Sequence, residues 1–118
     1  MREDDEIVLI EDDEDKAALL VSILKEHLPG RIRHIDDGRE ALLFLFSEES
    51  KNTKLILLDL ILPNIDGVEI FKRLKADPAK SKIPIIILTS SSQTEEYIHS
   101  LGLQPDGFAH KPNLKNCA

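Results

Sequence analysis

Short runs of leucine and β-branched residues recur along the chain, each followed by a turn and then by apolar residues at helical spacing, and this alternation leaves few folds open. Ile7 to Ile10 reads as a buried strand that ends in the acidic cluster Glu11 to Asp15. Ala17, Leu20, Val21, Leu24 and Leu28 then follow a helical period, with Pro29-Gly30 as the stop. Arg31 to Ile35 alternates polar and apolar, as a half-exposed edge strand does. Asp36-Asp37-Gly38 is a turn, and Ala41, Leu42, Leu45 and Phe46 form a second helix face before the polar loop from Ser47 to Lys54. Lys54 to Leu62 is a central strand almost without alternation, the pattern of a parallel strand covered on both faces. Val68, Phe71 and Leu74 mark a third helix, which ends before Pro78. Pro84 to Leu88 is a fourth buried strand, and Ser92-x-x-Glu95 opens a fourth helix that turns Ile98 and Leu101 inward. Gly107 to His110 is a short fifth strand.

Strand and helix thus alternate four times before a last strand. The pattern is α/β: a parallel sheet with right-handed crossovers, in one domain spanning residues 1–118. Fifteen basic against 22 acidic side chains leave a net charge of −7, which disfavours direct contact with nucleic acid or an anionic membrane. The apolar runs are far shorter than the roughly 20 residues of a membrane span. Met1 to Glu6 is acidic and shows no signal-peptide core, and Cys117 has no cysteine to pair with. A cytoplasmic location is expected.

Ligands of such sheets bind beyond the carboxyl ends of the strands, where strand order reverses. Asp12 and Asp13 follow the first strand there, and Asp59 interrupts the apolar stretch Leu55 to Leu62, where an unpaired charge is costly. Three carboxylates on neighbouring strand ends would repel unless a cation lay between them, and Mg²⁺, with its demand for oxygen ligands, is the expected ion. Thr89 ends the fourth strand and Lys111 follows the fifth. Acid pair, acid, hydroxyl and amine at one edge form a set suited to phosphoryl chemistry.

These residues stand in four stretches: Leu9-Ile-Glu-Asp-Asp13, Leu57-Leu-Asp-Leu-Ile-Leu-Pro-Asn-Ile-Asp-Gly67, Ile87-Leu-Thr-Ser90 and Phe108-Ala-His-Lys-Pro112. In this order, over nearly the whole chain, they resemble the CheY-like receiver domain of two-component response regulators. The resemblance implies a flavodoxin-like, doubly wound five-stranded sheet in the order 2-1-3-4-5. It implies that Asp59 accepts a phosphoryl group from the phosphohistidine of a sensor histidine kinase. Asp13 and Asp59 would ligate Mg²⁺ directly, Asp12 through a water, with the backbone carbonyl of Ile61 as a further ligand. Lys111, joined to Pro112 by a cis peptide, would pair with the phosphoryl oxygens. Thr89 would hydrogen-bond one of them, and Phe108 would move into the space its loop vacates. Such a domain catalyses only its own phosphorylation and dephosphorylation, and its downstream partner is a protein.

The family's fifth helix should follow Pro112, where only Asn113 to Ala118 remain. The expectation is a truncated or absent helix and an apolar face beside the first and fifth strands, open to a second copy in a homodimer or belonging to a fragment. The stretches Asp37 to Leu45 and Lys72 to Pro84 are similar to those of single-domain receivers paired with bacteriophytochrome-type kinases. A dehalogenase-like phosphohydrolase is disfavoured, because it needs a second acid at the position of Ile61. No glycine-rich fingerprint for a dinucleotide follows the first strand. The alternative is a receiver-like interaction module that works without phosphorylation.

Overall fold

The computed structural model describes residues 1–62, 64–89 and 92–110, with the backbone alone over 92–94. Among the described residues five strands, β1 (Glu6–Ile10), β2 (Arg31–Ile35), β3 (Thr53–Asp59), β4 (Ile85–Thr89) and β5 (Gly107–His110), alternate with four α-helices. These are α1 (Glu14–His27), α2 (Gly38–Leu45), α3 (Gly67–Ala76) and α4 (Ser92–Ser100). Every strand pairing is parallel, and the order is β2-β1-β3-β4-β5, as the resemblance implies. The Lys111–Pro112 peptide and a fifth helix concern residues 111–118, outside the described residues.

The apolar runs of β1, β3 and β4 are explained by cover on both sides of the sheet. Val8, Ile10, Ile56, Leu58, Ile85 and Ile87 join the larger core with Ala41 and Leu45 of α2, Ile70, Phe71 and Leu74 of α3, and Ile98 of α4. The alternate residues Ile7, Leu9, Leu57 and Leu88 face the other way, against Ala17 and Leu20 of α1. Each fully buried side chain of this size contributes about 1.5–3 kcal/mol. Among the described residues no helix is long and apolar enough to cross a membrane.

Two of the differences from the sequence reading have a visible cause. The third strand stops at Asp59 rather than Leu62, because the Ile61 N–H donates to Asp59 Oδ1 at 3.0 Å and turns the chain. Ile61 is consequently 80% exposed. In α4, Ile98 is buried as expected but Leu101 is 41% exposed. The helix ends at Ser100 and the backbone reverses through Gly102 at φ 74°, so Leu103 packs on the core instead.

At the amino-terminal edge of the sheet, Asp106 Oδ2 accepts from the Ile85 N–H at 2.8 Å and from Lys75 Nζ at 3.3 Å. The Ile85 N–H, helped by Lys75, holds the Asp106 carboxyl below the ordinary aspartate range. A carboxyl shifted in this direction adds stability above its unfolded pKa, and the addition is lost as pH falls through the lower, folded value. Wild type is therefore expected to exceed Asp106→Asn in urea midpoint at pH 7, with the gap closing below about pH 4. Asp106→Ala also orphans a buried donor and should cost about 1–3 kcal/mol.

Candidate functional site

The carboxyl ends of β1 and β3 lie side by side, with Ile10 opposite Leu58, and this register delivers the acids to one place. Carboxylate oxygens of Glu11, Asp12 and Asp59 lie within 4.8 Å of one another. Glu11 and Asp59 are buried, Asp59 to 3% exposure, while Asp12 faces solvent. At that separation two unit charges repel by roughly 3.5 kcal/mol at an effective dielectric of 20. A divalent cation shared by the three would reverse the sign of that energy. All the donors are hard oxygens, with one side open to water, which fits Mg²⁺ or a similar ion.

Asp12 and Asp59 are thus brought together as the sequence reading expects, but the third acid is Glu11 rather than Asp13. The Asp13 side chain is turned to a different task. Its Oδ1 accepts from the Asp15 N–H at 3.0 Å and the Lys16 N–H at 3.1 Å, capping α1. Asp37 and Asp66 cap α2 and α3 in the same way. The Arg39 N–H, with the Asn64 amide at 2.8 Å, keeps the Asp37 carboxyl below its usual range. Asn64 itself sits at φ 71°, so this contact ties the loop after β3 to the loop before α2.

Thr89 is buried at the end of β4, one residue past Leu88, the register partner of Asp59. Its hydroxyl therefore belongs to the strand next to the central acid. Phe108 of β5 is half-buried against the larger core, its ring centroid 5.6 Å from that of His99 on α4. His110 Nε2 lies 3.4 Å from Glu95 Oε2, a second contact between β5 and α4. Lys111 falls outside the described residues, as do Ser90 and Ser91.

Two contributors escaped the sequence reading. Glu11 stands in the first of the four stretches, and nothing in that stretch sets it apart from the acids that follow. Gly67 stands in the sequence only as the end of the second stretch, yet it opens α3 directly against the strand end that carries Asp59. Its N–H donates to the Leu60 carbonyl at 3.1 Å. A Cβ there would lie 2.5 Å from Leu60 Cα and 2.6 Å from the Asp59 carbonyl oxygen.

The family model of the response regulator receiver domain matches residues 7–116. Over 116 residues the chain is 34% identical to the response regulator Rcp1 of a Synechocystis species, covering 93% of this chain and 79% of that protein. It is 31% identical over 109 residues to the chemotaxis protein CheV2 of Helicobacter pylori, which covers 92% of this chain but only 35% of that relative's length. Among solved structures, the bacteriophytochrome response regulator AtBRR superposes with a TM-score of 0.84 at 30% identity, over 97% of this chain and 86% of that one. The Mn(2+)-bound form of Rcp1 superposes at 0.79 with 33% identity, over 95% and 85% of the two chains.

Proposed function

The chain belongs to the response regulator receiver family, and on that premise we propose that it accepts a phosphoryl group on Asp59 from a histidine kinase, with Mg²⁺ held by Glu11, Asp12 and Asp59. The observation that carries this reading is the meeting of a buried aspartate at the end of the central strand with two further carboxylates. The similarity to a response regulator solved in a Mn(2+)-bound form supports a divalent ion for this chain.

An Asp59 carboxylate oxygen attacks the phosphorus of the kinase phosphohistidine. The P–O bond to Asp59 forms as the P–N bond breaks, and the electron pair leaves on the imidazole nitrogen. Bound Mg²⁺ supplies compensation for the charge that builds on the phosphoryl oxygens. The Ile61 N–H, donating to Oδ1, holds the carboxylate in one orientation. The Ile61 carbonyl is proposed as a further metal ligand and Lys111 as the cation that pairs with the phosphoryl group. The new charge and its acceptor oxygens draw the Thr89 hydroxyl inward. Phe108, half-buried at the edge of the core, follows into the vacated space and changes the α4–β5 surface that a protein partner reads. The work is done in the cytoplasm, at the sensor kinase.

Incubation with acetyl phosphate and Mg²⁺, followed by phosphate-affinity electrophoresis, tests this reading. A retarded band is expected with Mg²⁺ and not after chelation with EDTA. No retarded band in either case would favour the interaction module that works without phosphorylation.

A further inference from the structure

We propose that His34 is a positioning residue for the metal site, acting through the Glu11 carbonyl; the inference rests on the metal reading above. His34 lies on β2, outside the acidic site, and its Nε2 is 2.6 Å from the Glu11 oxygen. A carbonyl oxygen only accepts, so Nε2 carries the proton and donates it. The same residue is held a second time by β2, since the Glu11 N–H donates to the Ile35 carbonyl at 3.2 Å.

The consequence is geometric. The Glu11 carbonyl and the Asp12 N–H belong to one planar peptide group. With its N–H and its carbonyl both held by β2, Glu11 is fixed at both ends of its main chain, and the side chains of Glu11 and Asp12 spring from a backbone anchored relative to Asp59. β1 ends at Ile10, so the plane lies just beyond the regular ladder, where a side-chain donor adds the restraint the strand no longer gives. The imidazole is thus an outer partner of the metal site that keeps two of its three acids on target. Loss of such outer partners typically lowers metal affinity about 10–100-fold.

The position allows a clean test. His34 is exposed and lines an open groove of about 540 Å³ with Glu14, Ala18 and Glu40, so replacing it empties no core volume. His34→Val suits an edge strand but has no donor, and His34→Met is a flexible second variant without one. His34→Gln keeps an N–H donor at similar reach. Each protein is titrated with Mn²⁺ alone, free ion being read from its electron paramagnetic resonance signal, and each is melted in metal-free buffer.

The expected result is an affinity lowered about tenfold or more in both donorless variants, recovered in large part by His34→Gln, with little change in metal-free melting temperature. Wild-type affinity in His34→Val and His34→Met would overturn the inference and leave the metal reading intact. Equal loss in all three variants would also overturn it, because donation would then not be the property that counts. Absence of saturable Mn²⁺ binding in the wild type would overturn the metal reading itself, and the inference with it.

Discussion

Asp59→Asn is expected to reduce phosphorylation by acetyl phosphate to background while leaving the fold intact. The amide is nearly isosteric with the carboxylate, and its Oδ1 still accepts from the Ile61 N–H, so the turn that ends β3 survives. The change removes the anionic oxygen that attacks phosphorus, and a neutral amide oxygen is a poor nucleophile. It also removes one of three charges crowded within 4.8 Å. In metal-free buffer the variant is therefore expected to melt no lower than wild type, because repulsion of roughly 3.5 kcal/mol per close pair is relieved. Added Mg²⁺ should raise the wild-type melting temperature more than that of the variant. Phosphate-affinity electrophoresis and calorimetry read the two effects separately. A retarded band that persisted in the variant would place the phosphoacceptor elsewhere.

Gly67→Ala is expected to be the most damaging single methyl group that can be added near the site. The added Cβ would collide with main-chain atoms of Asp59 and Leu60, which cannot rotate away as a side chain can. Relief requires α3 to move off the strand end, and α3 carries Ile70, Phe71 and Leu74 into the larger core. Overpacking of this kind costs about 3 kcal/mol or more when no neighbour can yield. For a domain of this size that lowers the melting temperature by about 10 °C or more. The displaced carbonyls belong to the residues that precede the acidic pocket's outer loop, so metal affinity should fall as well. A melting curve superimposable on wild type would mean that the helix tolerates the shift.

Much of this was legible in the amino acids because burial on two faces leaves a plain mark. β1, β3 and β4 announce themselves as unbroken apolar runs, and their alternation with helices restricts the sheet to parallel strands. Asp59 was visible as a charge set inside such a run. The offset between Glu11 and Asp13 was not visible, because aspartate serves equally as a helix cap and as a metal ligand. Which role each acid takes depends on where the chain leaves β1, and contacts from β2 decide that. His34 and Ile35 hold the backbone of Glu11, and no local pattern in residues 11–15 records this. Leu101 misled for a related reason. Its spacing from Ile98 is helical, but Gly102 lets the backbone reverse first, and Leu103 takes the inward place. The helix period was right, and its length was set by the turn.

The strand order has a bearing on how the chain comes off the ribosome. β1 is made first yet occupies the interior of the sheet, flanked by β2 on one side and β3 on the other. Its second neighbour, beginning at Thr53, is synthesised only after α1, β2 and α2. At about 5–20 residues per second, the nascent hydrophobic segment spends seconds with one hydrogen-bonding edge vacant. The clustered negative charges just after it, and the arginines of its first partner strand, are then the nearest deterrents to intermolecular strand pairing. Substitutions that neutralise them should be felt in expression yield before they are felt in the finished molecule.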